Sequence, residues 1–128
     1  MLVVEDSQTD VFLVRESVQA HHLDVDLEII SDGERAVAFF NRLDAGEGAC
    51  PSLMLLDLNL PRIGGLEVLA RMRASKRCAD IPVVVMTSSD AEKDRRESKA
   101  LGATAYFRKP SGYEGFLKLG ELIGEMLA

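Results

Sequence analysis

The sequence has few of the residues from which zinc-binding or disulfide-rich proteins are built. It contains no tryptophan, two histidines and two cysteines. Cys50 and Cys78 lack the second cysteine pair or nearby histidine that a zinc site requires. His21 and His22 fall between a helical and a strand-like segment, where we predict a solvated turn. A metal site built on cysteine or histidine is therefore not expected.

Long apolar runs are also absent. None approaches the ~18 residues that would suggest a membrane span. The apolar start Met1–Val4 is followed at once by Glu5 and Asp6, so no signal peptide is predicted. Because only four residues precede Glu5, the first strand is expected to be short, with a few N-terminal residues missing. These features favour a cytoplasmic protein that does not associate with a membrane.

Basic residues are outnumbered by acidic ones, 15 against 21, and the net charge is -6. An acidic chain is unsuited to binding nucleic acid through a broad basic surface, but it suits a domain that binds a cation. No glycine-rich loop follows the first apolar run, so a dinucleotide site is not predicted either. With 128 residues, 47% of them hydrophobic, we expect one globular domain over residues 1–128.

Short apolar runs alternate with longer segments of helical spacing. The runs are typical of buried strands, and they are Leu2–Val4, Val25–Ile30, Leu53–Leu56, Pro82–Met86 and Ala105–Phe107. Helical spacing predicts helices around residues 11–18, 36–43, 66–73 and 116–127, and the polar segment 90–101 predicts another. This alternation predicts an α/β fold, a doubly wound five-stranded parallel sheet with five helices in a single domain.

Four capping patterns mark the predicted helix starts. Ser31, Ser89 and Ser111 each precede a glutamate by three positions, which is the spacing of a capping box. Ser7 followed by Asp10 is a close variant. In each pattern the serine accepts a hydrogen bond from a free backbone N–H, and the acid answers it. Each pattern follows an apolar run, which supports the order strand, short loop, helix.

Polar residues of complementary chemistry follow four of the five predicted strands. They are Glu5 and Asp6, then Asp57, then Thr87 and Ser88, then Lys109. Sites in such sheets form at the carboxyl ends of the strands, so we expect these side chains to meet. Each residue alone has an ordinary interpretation as a cap, a first-turn acid or a surface lysine. Their joint occurrence at four strand ends favours a site.

This set of residues predicts a Mg²⁺-dependent phosphoryl acceptor. Neighbouring carboxylates raise each other's pKa unless a cation joins them, and Mg²⁺ prefers hard oxygen ligands. Asp6, Asp57 and a backbone carbonyl just after Asp57 would supply those ligands, and Glu5, one methylene longer, would act through water. Asp57 would be the nucleophile, and Mg²⁺ and Lys109 would stabilise charge on the phosphoryl oxygens. Thr87 would donate a hydrogen bond to the phosphoryl group, which would bias a conformation.

The chain resembles the receiver domains of bacterial response regulators, the CheY-like fold. The resemblance covers essentially all residues, and it rests on Val3–Ser7, Leu55–Pro61, Val84–Ser88, Gly102–Tyr106 and Phe107–Pro110. The chain departs from the family at Ile63-Gly64-Gly65, where many receivers have Asp-Gly after the proline. The additional glycine is expected to loosen this loop, because glycine adopts positive φ freely.

The resemblance implies a role for each residue of the predicted site. Asp57 matches the phosphoacceptor, and Glu5 and Asp6 match the acidic metal-binding pair. Asn59 matches the position whose backbone carbonyl reaches Mg²⁺, and Lys109 matches the lysine typical of the family.

Further residues are implied to switch or tune the site. Thr87 matches the switch hydroxyl and Tyr106 the switch aromatic residue. Asn59, Ser88 and Ser89 flank the site and are expected to tune it. The family also implies a cis peptide bond before Pro110, which would aim the preceding lysine inward.

A narrower resemblance is to standalone receivers that partner bacterial phytochromes. It rests on Leu56–Arg62, Thr87–Asp94 and the long loop before Pro51. It implies a single-domain response regulator, phosphorylated by a sensor histidine kinase, with a bacterial phytochrome as the candidate kinase. A His-containing phosphotransfer protein is a candidate downstream partner, and helix four, strand five and helix five are a candidate homodimer surface. Such a protein is not an enzyme beyond its own phosphorylation and dephosphorylation.

Two alternatives remain. A haloacid-dehalogenase-type phosphatase also uses a strand-end aspartate and Mg²⁺, but it needs a second aspartate where this chain has Asn59, which cannot transfer a proton. A receiver-like binding module that is never phosphorylated would usually have lost an acid or the lysine, and this chain keeps them all.

The predicted fourth helix suggests how a signal could leave the site. Between Glu92 and Lys99 it has almost no apolar residue, so packing would hold it weakly. We hypothesise that phosphorylation draws Thr87 towards Asp57, turns Tyr106 inward and shifts this helix. A simpler interpretation is a solvated helix face stabilised by charge pairs, and both can hold.

Overall fold

Strands and helices alternate along the whole chain in the computed structural model, which describes every residue from Met1 to Ala128. The strands are β1 Leu2–Val4, β2 Glu28–Ile30, β3 Met54–Leu56, β4 Val83–Thr87 and β5 Ala105–Arg108. The helices are α1 Gln8–Ala20, α2 Gly33–Asp44, α3 Gly65–Arg73, α4 Glu92–Ala100 and α5 Tyr113–Leu127. The predicted α/β class and the order of its elements are confirmed.

Alternate residues of the strands build a separate apolar core on each face of the sheet. Leu2 and Val4 of β1 pack with side chains of α2 and α3, whereas Val3 packs with those of α1 and α5. β3 and β4 alternate in the same way and are buried throughout. This is why these strands are apolar at every position, as parallel strands covered by helices on both faces usually are.

The order of the strands in the sheet is β2-β1-β3-β4-β5, and all neighbouring pairs are parallel. The winding of the chain changes direction between β1 and β3, and ligands bind at such a switch point, outside the carboxyl ends of the strands. Val4 lies opposite Leu56 in the β1–β3 ladder. The residues that follow these two strands are therefore neighbours.

Several predicted boundaries are wrong by a few residues. β2 begins at Glu28 and not at Val25, because the ladder with β1 starts where Leu2 lies opposite Glu28. β4 runs from Val83 to Thr87, which places the predicted switch hydroxyl inside the strand.

Only one of the four predicted serines caps its helix, and its acid does not bond back, since the Ser7 N–H donates to Glu5 Oε2 at 3.4 Å and Asp10 binds Lys109. The Ser7 hydroxyl accepts from the Asp10 N–H at 3.2 Å. α2 is capped by Asp32, one residue after the predicted serine, which accepts from the Arg35 N–H at 2.7 Å. α4 and α5 begin after Ala91 and Gly112 with no side-chain cap. Serine occurs in turns as well as at caps, so its spacing to an acid marks a helix start only approximately.

A disulfide joins Cys50 and Cys78, which the sequence analysis considered only as zinc ligands. It links the loop between α2 and β3 to the loop between α3 and β4, and its Cα atoms are 5.7 Å apart, within the usual range. Arg77 strengthens the same junction by donating to the carbonyl oxygens of Leu43 and Gly48 at 2.6 and 3.0 Å. Both loops precede strands, so the junction lies at the edge of the sheet opposite the carboxyl ends.

The fold contains no helix that is both long enough and apolar enough to cross a membrane. His21 and His22 lie in the turn after α1, as predicted, and both are exposed.

Candidate functional site

The ends of β1 and β3 place three carboxylates together. The ligand oxygens of Glu5, Asp6 and Asp57 all lie within 4.8 Å of one another. Glu5 and Asp57 are buried, and Asp6 is exposed. The Asp57 N–H donates to the carbonyl of Val4 at 3.0 Å, which fixes the two strand ends side by side. The structure thus brings together the three acids predicted from the sequence.

Lys109 enters this cluster from the end of β5. Its ammonium donates to Glu5 Oε1 at 2.5 Å, to Asp10 Oδ2 at 2.7 Å and to Asp57 Oδ2 at 3.2 Å. Asp10 was not predicted as a site residue, although its spacing to Ser7 predicted the start of α1. The missed signal is that α1 starts only a few residues after β1, so its first turn lies over the strand ends.

The predicted cis bond between Lys109 and Pro110 is wrong, because every peptide bond in the chain is trans. The trans form of an X–Pro bond is favoured by about 0.5–1 kcal/mol without other constraints. The Lys109 N–H donates to the Thr87 carbonyl at 2.8 Å, and the side chain reaches the acids from that backbone position. The lysine is aimed inward without the cis bond.

The charges of this cluster are unbalanced. Burial, together with the nearby Asp57 carboxylate, raises the pKa of Glu5 to about 8 despite the hydrogen bond from Lys109. Burial alone would lower the pKa of Lys109, but its hydrogen bonds to Asp10 and Glu5 raise it above its usual value. One ammonium group therefore serves more carboxylates than it can neutralise, and a further cation would relieve the repulsion.

The donor atoms fit a hard divalent cation. They are carboxylate oxygens, which Mg²⁺ prefers, and the exposed Asp6 leaves one side of the site open to water ligands. The acidic pocket therefore fits Mg²⁺ or Mn²⁺. The backbone carbonyl of Asn59 as a further ligand remains a prediction.

Asn59 connects the phosphoacceptor candidate to the switch candidate on β4. Its backbone N–H donates to Asp57 Oδ1 at 3.1 Å, and its side-chain amide donates to Thr87 Oγ1 at 3.3 Å. Thr87 is fully buried, and its hydroxyl also accepts weakly from the Ser89 N–H at 3.4 Å. Ser88 lies on the exposed side and lines a polar cleft of about 820 Å³ beside Lys109.

Tyr106 is linked to the same loop from β5. Its hydroxyl donates to the Ser89 carbonyl at 2.8 Å, and the Arg95 guanidinium lies 4.3 Å from the ring centre. The Ser89 hydroxyl in turn donates to Asp94 of α4 at 2.5 Å. Ser89 thus contacts Thr87, Tyr106 and α4, a connection that the sequence analysis did not foresee.

Neither glycine in the loop after Asp57 adopts a positive φ. Gly64 has φ -70°, Gly65 opens α3, and the positive φ in this loop belongs to Arg62 at 69°. A Cβ on Gly65 would overlap the backbone of Asp57 and Leu58. The positive φ on which the expectation of a loose loop rested is thus absent at both glycines, and Gly65 permits a close backbone approach to Asp57.

Comparison with known proteins identifies the class to which this fold and site correspond. Residues 1–119 match the family model described as the response regulator receiver domain. The chain belongs to this family, and its sheet is the doubly wound, CheY-type sheet of receiver structures. It is therefore a receiver-domain response regulator of the two-component type.

Individual relatives indicate which response regulators this chain resembles. The chain is 38% identical to response regulator Rcp1 of Synechocystis sp., over 93% of this chain and 82% of that protein. The structure of the phosphorylated cyanobacterial phytochrome response regulator RcpA matches with a TM-score of 0.88 at 30% identity, covering 98% of this chain and 91% of RcpA. Mn²⁺-bound Rcp1 matches with a TM-score of 0.86 at 37% identity, covering 97% and 90%. The resemblance to response regulators of phytochromes is confirmed.

Proposed function

We propose that the chain accepts a phosphoryl group on Asp57 from a sensor histidine kinase, in a Mg²⁺-dependent reaction, and thereby changes conformation. The observation that carries the proposal is the buried Asp57 carboxylate, which contacts the Lys109 ammonium and lies beside Glu5 and Asp6. A buried nucleophile, a cation and a metal-binding pair at one point are what phosphoryl transfer requires.

The residues have distinct roles in this reaction. An oxygen of Asp57 attacks phosphorus, and the bond from phosphorus to the donor's imidazole nitrogen breaks with its electron pair leaving on that nitrogen. Lys109 moves its hydrogen bond from Asp57 to an incoming phosphoryl oxygen. The Thr87 hydroxyl donates a hydrogen bond to another phosphoryl oxygen. Glu5, Asp6 and Asp57 would hold Mg²⁺, which would supply positive charge to the phosphoryl oxygens. Beyond this reaction and the hydrolysis of the aspartyl phosphate to Asp57 and inorganic phosphate, we propose no enzymatic activity.

The switch follows from the contacts of Thr87. Its hydroxyl accepts from Asn59 and Ser89 in the structure, and donating to a phosphoryl oxygen would pull on both partners. Ser89 holds the Tyr106 hydroxyl and the Asp94 carboxylate. A small movement at Thr87 is thereby connected to α4, and phosphorylation would bias a change there.

The partners are proposed from the relatives and from the surface beside the site. Rcp1 and RcpA lead us to propose a phytochrome-type histidine kinase as donor and the cytoplasm as the place of action. Phe12 and Tyr113 are the large apolar side chains that are exposed, by 49% and 51%, and they line one cleft near the site. A phosphotransfer protein and a homodimer through α4, β5 and α5 remain proposals, as does the extent of the receiver domain over residues 1–128.

The experiment is intact-mass analysis after incubation with acetyl phosphate, in Mg²⁺ or in EDTA. We expect one phosphoryl group on the wild type in Mg²⁺, none in EDTA and none on Asp57→Asn. Asp24→Asn, which removes an exposed acid with no ion pair, is the matched control and should be phosphorylated normally. If no adduct forms and beryllofluoride does not bind, the chain is an unphosphorylated binding module instead.

A further inference from the structure

Asp10 occupies a position that the proposed reaction leaves unused. It lies in the first turn of α1, and its N–H is held by the Ser7 hydroxyl. Its carboxylate accepts from the Lys109 ammonium at 2.7 Å, shorter than the 3.2 Å contact of that ammonium with Asp57. Its side chain is 22% exposed, so Asp10 forms the outer wall of the cluster.

The contacts of Lys109 differ in how the proposed reaction would affect them. An ammonium group has three protons, and in the structure they go to Glu5, Asp10 and Asp57. On phosphorylation, a phosphoryl oxygen takes the place of the Asp57 oxygen as the hydrogen-bond acceptor of Lys109. Glu5 belongs to the acids that could hold the metal ion. Asp10 is outside that set, so its contact with Lys109 can persist throughout.

The Lys109 side chain lies beside an open cleft, so a lasting contact is needed to fix the position of its ammonium group. Holding a lysine side chain in one conformation costs conformational entropy, because the side chain has several rotatable bonds. Asp10 and Lys109 both line the polar cleft of about 820 Å³, into which the ammonium could otherwise turn. We infer that Asp10 is a positioning residue that anchors the Lys109 ammonium at Asp57 during phosphoryl transfer, an inference that rests on the proposed function.

Asp10 also has a simpler interpretation. An acid in the first turn of a helix is stabilised by the helix dipole, whatever it contacts. In that case its removal would weaken α1 in the same way whether or not residue 109 is a lysine. The anchor requires the opposite result, because without Lys109 there is nothing for Asp10 to position. The two interpretations therefore separate in a double-mutant cycle.

The experiment measures the rate of phosphorylation by acetyl phosphate at saturating Mg²⁺ for Asp10→Asn, Lys109→Ala and the double variant. We expect Asp10→Asn to slow the wild type about tenfold, since a misplaced catalytic group costs one to two orders of magnitude. It should not slow the Lys109→Ala protein further. The matched control is Glu16→Gln, which removes one charge from the same helix at a residue without an ion pair and should leave the rate unchanged.

A second readout covers the case in which Lys109→Ala is too slow to time. In the beryllofluoride complex, the NMR signal of the Lys109 ammonium should be visible in the wild type and in Glu16→Gln, and lost in Asp10→Asn. An equal loss of rate in both backgrounds, or an unchanged rate and ammonium signal in Asp10→Asn, would overturn the inference. A wild type that is not phosphorylated at all would instead remove the proposed function.

Discussion

At the scale of single residues, the site is assembled from groups that destabilise one another when no metal ion is bound. Glu5 and Asp57 are both buried and share one ammonium. The Asp57 carboxylate adds to the burial that raises the pKa of Glu5 to about 8. Because the folded-state pKa of Glu5 lies above its usual value of 4.5, folding stability falls as the pH rises from about that value towards 8. Glu5 thus makes the metal-free protein less stable at neutral pH than near pH 4.5.

Asp57→Asn should therefore stabilise the metal-free protein. Removing one charge from the buried pair lowers the repulsion on Glu5, and one pKa unit corresponds to about 1.4 kcal/mol. We expect the free energy of unfolding in EDTA at pH 7.5 to rise by about 1 kcal/mol, measured by urea denaturation. The same variant should gain less stability than the wild type from added Mg²⁺. Asp24→Asn is the control, and a gain of the same size in that variant would contradict the explanation.

The residues that the sequence could predict are those placed by strand ends. Glu5, Asp57, Thr87 and Lys109 follow from parallel strands whose carboxyl ends share one edge of the sheet. Asp10 could not be placed in this way, because the direction of a helical side chain depends on how α1 is oriented over the sheet. The cis bond at Pro110 was implied by the family alone, and nothing in the local sequence requires it.

At the scale of elements, the start of α3 positions Asp57. Gly65 lies against the backbone of Asp57 and Leu58, and its N–H donates to the Leu58 carbonyl at 3.0 Å. Gly65→Ala should displace this backbone and lower the free energy of unfolding by about 1–3 kcal/mol, as overpacking does. It should also slow phosphorylation by acetyl phosphate, because the nucleophile moves with its backbone.

Gly64→Ala is the matched control for this prediction. Gly64 has φ -70°, and a Cβ there would have its nearest neighbour at 3.8 Å, which is ordinary contact. Its effects on stability and rate should be clearly smaller. Equal effects at the two glycines would show that loop flexibility matters and that the close approach does not.

α4 has the fewest buried residues of the five helices. Only Ser98 of α4 is buried. The helix is held largely by exposed ion pairs, such as that of Arg95 with Asp90. Exposed ion pairs are typically worth less than about 1 kcal/mol. We expect the amides of α4 to exchange with deuterium faster than those of α1 and α5, and beryllofluoride to change their exchange. The same change in Asp57→Asn would contradict a switch that acts through the phosphoryl site.

Element boundaries were less predictable from the sequence than element types. Val25–Leu27 has the alternating pattern of a strand, but its residues lie before the first pair of the β1–β2 ladder. Asp26 only accepts a hydrogen bond from the terminal ammonium of Met1 at 2.7 Å. Ser89 has the spacing of a cap, but its hydroxyl bonds to Asp94, and α4 begins without it. In both cases a tertiary partner decides, and local pattern carries no information on it.

At the scale of the whole molecule, the two ends of the parallel strands carry different features, and we call them the carboxyl edge and the amino edge of the sheet. The carboxyl edge carries the charged site, and the amino edge carries the Cys50–Cys78 disulfide with its surrounding hydrogen bonds. There the Asp44 carboxylate accepts from the Ser75 hydroxyl at 2.6 Å and from Arg71 at 2.9 Å. These hydrogen bonds lower the pKa of Asp44 to about 2. The amino edge is therefore closed by covalent and polar contacts, and it contains none of the proposed phosphorylation residues.

This separation predicts that reduction of the disulfide changes stability but not phosphorylation. Closing a loop of 28 residues stabilises a folded chain by about 3.6 kcal/mol in the chain-entropy model. The reduced wild type should thus unfold at lower urea concentration than the oxidised protein, while acetyl phosphate modifies both at the same rate. Cys50→Ser is the control, since its stability should not respond to a reductant. A reduced protein that could no longer be phosphorylated would show that the amino edge governs the site after all.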